Sequence, residues 1–422
     1  MPKIKDLSSQ KAAITEIYDQ QIQQPYHGRA VVSFKLLLLL LFTSVLGGIL
    51  GGLIHAGWFS GQVNQNVNQP GNLNLNLNSD TTVKKTEILD LNSLLKDNTN
   101  NDAYAKVLHE LKSQVVGFYS KKAAVPGIFD SLYLEKDFLG SGVIVTSDGW
   151  ILAPRSVVKD QNYIIVTADK RIFDPQKAVV DNFSNSVLVK IEAKNLSPVS
   201  FSDLSTLKTT DTLLSLRYTL KGNGNSEIIK TAVAKFFYHD QGKGADFLLA
   251  SDKEDHYLKM SNDFEALYNG APLFNDKGQV AGLLFNSGRS IIDLAIPAYY
   301  LKSGVSSFLT SSSVVARPSL GVNYLDLSEV LGLSADVSEN RLKGAVLLGD
   351  AKRSITAIVP NSPAAKAGLQ AGDIIVKINN EELNESDSLT KLIQEYPAGQ
   401  EITLTISRKG NEQDVKITLG KL

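Results

Sequence analysis

Gly140-Ser-Gly-Val-Ile-Val-Thr-Ser-Asp-Gly-Trp-Ile-Leu-Ala-Pro-Arg-Ser-Val-Val158 contains two β-rich runs, Gly142 to Thr146 and Trp150 to Ala153, joined by an Asp-Gly turn. Asp-Gly supplies the tight reversal that lets two such runs pair. The rhythm extends outward in both directions. Val115 to Tyr119 precedes the stretch, and Tyr163 to Ala168, Val187 to Ile191, Thr212 to Arg217, Ile228 to Tyr238, Phe247 to Ala250, Val280 to Asn286 and Ile291 to Ile296 follow it. Short strands separated by turns at this spacing predict β-barrels. Helical spacing of Tyr104, Val107, Leu108 and Leu111 predicts a helix over Asp102 to Gln114 that leads into the first strand.

Three segments, Gly140 to Val158, Val179 to Ile191 and Leu267 to Leu284, resemble in order the catalytic segments of the HtrA (Deg) family of trypsin-like serine proteases. The resemblance runs from about Asp102 to the C-terminus and implies two six-stranded barrels that meet near Phe201 to Leu207. It also places the catalytic positions. Ser156 stands where the family carries its general-base histidine, and Asn185 where an aspartate orients that histidine. Asn269, in Leu267-Tyr-Asn-Gly-Ala-Pro-Leu-Phe-Asn275, stands where the nucleophilic serine belongs.

Such a triad needs a hydroxyl to attack, an imidazole to take its proton and a carboxylate to hold the imidazole. Ser156, Asn185 and Asn269 supply none of these functions. Leu267 and Ala271 replace glycines whose freedom at positive φ helps aim the oxyanion-hole amides. The chain has five histidines. His27 and His55 lie before or within an apolar segment and His109 precedes the first strand. His239 and His256 fall in polar stretches that read as a solvated turn and loop of the second barrel. No metal or cofactor site is expected, and Gly222 to Ser226 and Gly242 to Gly244 read as loop turns, not phosphate cradles.

The formal net charge of the 422-residue chain is −1, with no interleaved basic and aromatic stretch, which argues against nucleic acid as a partner. Cysteine is absent, excluding disulfides and thiolate chemistry. Leu36 to Ile54 carries no charge, and the apolar run extends to Phe59, long enough to span a bilayer as one helix. Arg29 and Lys35 precede it and the next charge is Asp80, so the tail is expected in the cytoplasm and the main domains outside. The long N-terminal region favours an uncleaved anchor over a signal peptide. Gly48, Gly52 and Ala56 share one face of that helix, which suits either close helix packing or the ordinary glycine content of membrane helices. Gly61 to Asp80 is Asn- and Gln-rich and reads as a flexible spacer.

The predicted organisation is thus a tail (1–35), a transmembrane helix (36–59), an Asn-rich linker (60–101), a degenerate trypsin-like double β-barrel (102–313) and a last domain (317–422). The last domain contains Pro360-Asn-Ser-Pro-Ala-Ala-Lys-Ala-Gly-Leu-Gln-Ala-Gly-Asp373 and resembles an α+β PDZ domain of the HtrA type. Ser319-Leu320-Gly321-Val322 matches the PDZ carboxylate loop, whose backbone N–H groups capture a peptide C-terminus. A helix over Ser386 to Glu395 would form the other wall of the groove, with Leu389 and Ile393 facing the peptide or serving as core.

Three functions compete. The chain is a membrane-anchored pseudoprotease that binds C-termini or unfolded segments of envelope proteins as adaptor, holdase or regulator; an active endopeptidase with a non-standard site; or a structural subunit. For the last, the resemblance implies a homotrimer or a mixed oligomer with an active paralogue.

Overall fold

The computed structural model describes residues 101–422 except 124–126, 159–161, 204–206, 210, 221–225, 240–243 and 312–313. The expected tail, membrane helix and nearly all of the linker lie outside the described residues. Among the described residues no helix is long and apolar enough to cross a membrane.

Helix α1 (Asn101–Ser113) leads into β1 (Val115–Ser120), as its spacing predicts. The quoted stretch folds as β2 (Phe138–Ile144) and β3 (Trp150–Pro154), paired antiparallel through Val143 and Leu152. With β4 (Tyr163–Val166), β5 (Ile172–Phe173), β6 (Lys177–Asp181) and β7 (Ser186–Lys190) they form one antiparallel sheet in the order β5-β4-β1-β2-β3-β7-β6. The second sheet follows the order β10-β12-β15-β14-β13-β8-β9. Its strands are β8 (Leu213–Tyr218), β9 (Ser226–Thr231), β10 (Val233–Tyr238), β12 (Tyr257–Phe264), β13 (Pro272–Phe274), β14 (Val280–Leu284) and β15 (Ile292–Pro297). Among the described residues each sheet therefore has seven strands where the resemblance implied six.

Two departures from expectation matter for function. The run Ile228 to Tyr238 is two strands, because the chain changes partner at Ala232: β9 pairs with β8 and β10 with β12. The run Phe247 to Ala250 leaves the barrel altogether. Its strand, β11 (Leu249–Ala250), pairs with a strand of the last domain, and the Leu249 side chain joins that domain's apolar core.

Helix α2 (Ala298–Ser311), which sequence reasoning missed, packs Phe308 edge-on against Trp150 at 4.5 Å. The last domain begins at β16 (Pro318–Ser319) and β17 (Asn323–Asp326). It continues through α3 (Ala335–Ser338), β18 (Ala345–Leu347), α4 (Pro363–Lys366), β19 (Ile374–Ile378), β20 (Glu381–Glu382), α5 (Leu389–Ile393), β21 (Glu401–Arg408), β22 (Asn411–Thr418) and β23 (Gly420–Lys421). Its main sheet runs β11-β17-β18-β19-β21-β22, so the barrel module supplies the edge strand. Helix α5 is shorter than Ser386 to Glu395: Ser388 caps it, its hydroxyl accepting from the Lys391 amide at 3.2 Å.

Candidate functional site

Two places concentrate the residues that the sequence singles out. The first is the barrel cleft. A 3₁₀ turn, Ala266–Tyr268, ends at Asn269, and a second, Arg155–Val158, carries Ser156 at the end of β3. The structure brings these two residues together. Ser156 Oγ donates to Asn269 Oδ1 at 2.9 Å, and the Asn286 amide donates to the same oxygen at 3.0 Å. Asn185 stands apart: its backbone carbonyl accepts from the Arg155 amide at 2.8 Å, but its side chain is exposed and does not bond Ser156. It adopts a left-handed backbone (φ 48°), which asparagine tolerates better than most residues.

The neighbouring amides are also engaged. Asn269 N donates to Ala266 O at 3.1 Å, Gly270 N to Leu284 O at 2.7 Å and Ala271 N to Tyr268 O at 2.9 Å. A carbonyl placed there meets no convergent pair of donors from this turn. The first aspartate of the second segment, Asp181, faces away from this cleft. It pairs with Arg317 at the entrance to the last domain, with Arg317 Nη2 to Asp181 Oδ2 at 2.5 Å and both groups buried.

The second place is the groove between β17 and α5. Gly321 has φ 79°, open to glycine but strained for other residues, and the loop amides it helps orient are all occupied. Asp252 Oδ1 accepts from Leu320 N at 3.1 Å and from Gly321 N at 3.2 Å. Ser251 Oγ accepts from Gly321 N at 3.2 Å and from Val322 N at 3.1 Å, while Ser319 Oγ donates to Asp252 Oδ2 at 2.7 Å. Ser251 N donates to Val322 O at 3.0 Å, and upstream Leu249 pairs with Tyr324 and Ala250 with Asn323. Thr390 Oγ1 of α5 donates to Ala250 O at 3.4 Å. An extended strand on the sheet edge, ending in a carboxylate held by loop amides, is how a PDZ groove holds a peptide C-terminus. Here the occupant is the chain's own Leu249-Ala-Ser-Asp252. Leu389 and Ile393 are both fully buried, in the same apolar cluster as Leu249, so core and groove wall are one surface.

Close by, the solvated placement expected for His239 and His256 is wrong: their relative exposures are 7% and 1%. Their polar sequence neighbours concealed that Glu329, after β17, covers them. Burial alone pushes His256 down, yet the Asp255 carboxylate beside it, at 3.1 Å, and Glu329 raise it to about 10. Burial likewise pushes Asp255 and Glu329 up, and their histidine partners hold each at about 2. Burial pushes Glu254 up to about 8.

These shifts set a pH window. The raised His256 contributes stability that is whole below its ordinary value of 6.5 and lost as pH climbs toward about 10. The depressed carboxyls contribute stability that is whole above their ordinary 3.8 and 4.5 and lost toward about 2. Glu254 adds a loss between 4.5 and about 8. Thermal melts in chelator-containing buffer are expected to peak near pH 4.5, where the Asp255 and Glu329 contributions are whole and the losses at Glu254 and His256 have not begun. A maximum near pH 9 contradicts the assignment.

Comparison with known proteins follows the same division. The family model described as a trypsin-like peptidase domain matches residues 140–283, and the one described as a PDZ domain matches 319–419. A probable periplasmic serine endoprotease, DegP-like, of Pseudomonas putida (strain GB-1) is 30% identical over 294 residues, 68% of this chain and 57% of that protein. The serine endoprotease DegS of Haemophilus influenzae is 24% identical over 315 residues, 72% of this chain and 84% of that protein. The chain therefore spans 57% of the length of its DegP-like relative from Pseudomonas putida. Of solved structures, the HtrA-type protease AlgW with decapeptide superposes with a TM-score of 0.54 at 18% identity, covering 76% of this chain and 98% of that one. AlgW with tripeptide gives 0.52 at 20% identity, covering 76% and 97%. These two likenesses speak to the fold alone.

Proposed function

Because the chain belongs to the HtrA family and carries a C-terminal PDZ domain, we propose that it works as a membrane-anchored pseudoprotease in envelope protein quality control. In this reading it binds C-termini or unfolded segments of envelope proteins through the PDZ groove and acts as adaptor, holdase or regulator. Ser156, Asn185 and Asn269 stand at the triad positions and perform no hydrolysis.

The observation that carries the reading is the carboxylate of Asp252 lying on the amides of Leu320 and Gly321. The loop binds a carboxylate in the way the proposal requires, so a free C-terminus is a competitor for a site already formed. The hydrogen bond from Ser156 to Asn269 supports the inactive half. The segment 36–59 supplies the anchor, and DegP-like relatives described as periplasmic support an extracytoplasmic location for the domains.

The test uses the full chain in detergent, peptides with apolar C-termini as free acids or amides, and unfolded casein. Free acids are expected to bind at least about tenfold more tightly than amides, a difference of about 1.4 kcal/mol, and casein is expected to remain intact over hours. Equal binding of acid and amide removes the PDZ half. Casein cleavage that vanishes on replacing one residue removes the pseudoprotease half.

A second reading, a structural subunit of an HtrA-like homotrimer or mixed oligomer, draws on exposed apolar side chains between β1 and β2. Ile128 and Phe129 are 79% and 86% exposed. Patches of this kind mark contact surfaces. Sedimentation of the chain alone and with an active family member distinguishes this role.

A further inference from the structure

One buried cluster belongs to neither the barrel cleft nor the peptide groove. Tyr238 and Tyr257 are paired across β10 and β12, so His239 and His256, one residue beyond each, meet at the end of that ladder. Glu329 arrives from the turn after β17 and closes over them. His239 Nδ1 lies 2.9 Å from Glu329 Oε2, and His256 Nε2 lies 3.2 Å from Glu329 Oε1. One donor atom from each residue lies within 4.8 Å of the others.

We propose that His239, His256 and Glu329 bind a first-row transition-metal dication of the Zn²⁺ class, which clasps the PDZ domain to the second barrel. Two imidazoles and one carboxylate are the donor set such ions prefer, whereas Ca²⁺ and Mg²⁺ take oxygen ligands. Donors about 2.0–2.1 Å from a tetrahedral ion stand roughly 3.3–3.4 Å apart, so the histidine–carboxylate spacings of 2.9 and 3.2 Å widen by a few tenths of an ångström while the three ligand atoms, within 4.8 Å of one another, settle around the ion. A water or the second carboxylate oxygen completes the coordination.

Two further observations point the same way. Asp255 Oδ2 lies 3.1 Å from His256 Nδ1 and accepts hydrogen bonds from Ser388 at 2.8 Å and from Tyr324 at 3.1 Å, while Asp255 Oδ1 accepts from the Tyr300 hydroxyl. The negative charge of a carboxylate fixed this close to Nδ1 favours the proton there and leaves Nε2 as the ligand. Phe237 also has φ 50°, a strained value for a bulky residue, at a break in the β10–β12 register. Its ring meets His256 edge-on at 5.6 Å, and Phe247 meets His239 at 5.5 Å. The strained turn aims His239 inward, and the two rings exclude water from the ligands. The proposal stands whether or not the PDZ groove binds peptides.

The test is metal binding by the full chain, purified in detergent without a histidine tag and stripped with chelator. Zn²⁺ alone is titrated by calorimetry, and Co²⁺ by visible absorption. One equivalent is expected to bind with Kd at or below about 1 µM. Co²⁺ is expected to give intense tetrahedral bands, and saturation to raise the melting temperature by several degrees. H239N and E329Q are expected to weaken binding at least about 100-fold, and D255N about 10–100-fold, while H109Q changes nothing. The Co²⁺ spectrum of the unaltered chain is a readout that does not depend on the folding of any variant. Binding weaker than about 1 mM, a weak octahedral spectrum, or stoichiometric binding that survives H239N in a folded chain overturns the proposal.

Discussion

Replacing Arg317 with alanine is expected to cost about 3–5 kcal/mol, the largest loss from any single substitution considered for this chain. Arg317 is 1% exposed, and its guanidinium reaches three elements. Nε lies 3.2 Å from both oxygens of Asp181, Nη2 donates to Tyr300 O at 2.7 Å and Nη1 donates to Gln394 Oε1 at 3.3 Å. Its face covers the Phe183 ring at 4.9 Å. Truncation leaves the buried Asp181 with only the Ser184 hydroxyl at 2.6 Å and the Phe183 amide at 3.1 Å, neither carrying a compensating charge. The cost therefore comes from an abandoned carboxylate more than from a lost attraction. Urea unfolding of the full chain measures it, and pairing R317A with D181A is expected to return part of the loss. A loss under about 1 kcal/mol means that water reaches this pair and the barrel–PDZ junction is open.

Replacing Asp252 with alanine is expected to raise affinity for a free-acid peptide by about 10–100-fold. The reasoning is one of populations: a groove closed by its own segment 90–99% of the time binds with an apparent Kd raised by the reciprocal of the open fraction. Asp252 accepts three of the hydrogen bonds that close the groove, from Ser319, Leu320 and Gly321, so its removal frees those donors for a ligand. Fluorescence anisotropy with one labelled peptide, on both forms at matched melting temperature, reads the ratio. Equal affinity in the two forms rules out competition between Asp252 and the peptide.

Local chemistry made part of this legible in advance. The hairpin of β2 and β3 follows from apolar runs on either side of Asp148-Gly149, and the PDZ segment from Pro360 to Asp373 is recognisable without its neighbours. Ser156 and Asn269 are 113 residues apart, yet family resemblance predicted positions that the fold brings to 2.9 Å. Whatever depended on a distant partner was hidden. Phe247 to Ala250 reads as a strand, but nothing within it tells which sheet it joins. Helix α2 was overlooked although Leu301, Val305 and Phe308 carry helical spacing, since serines interrupt the pattern. Strand β12 is absent from the predicted strands, since its apolar signal is confined to alternate residues such as Leu258 and Met260 that face the core. His239 and His256 sit among polar residues in the sequence and are covered by the Phe237 and Phe247 rings and by Glu329, a residue of another domain.

The borrowed edge strand has a consequence for how the molecule is made. A ribosome delivers Asp252 well before its partner Leu320, which lies 68 residues downstream. At about 5–20 residues per second the Leu249–Asp252 segment waits several seconds for the strand it completes. Once β15 completes the second sheet, and until Leu320 follows, the barrel displays a short apolar strand with no ladder, the kind of edge that recruits a neighbouring chain. The PDZ domain made alone would carry the matching vacancy. Its natural boundary therefore does not fall at Arg317, and the unit of cooperative folding crosses the line that sequence similarity draws.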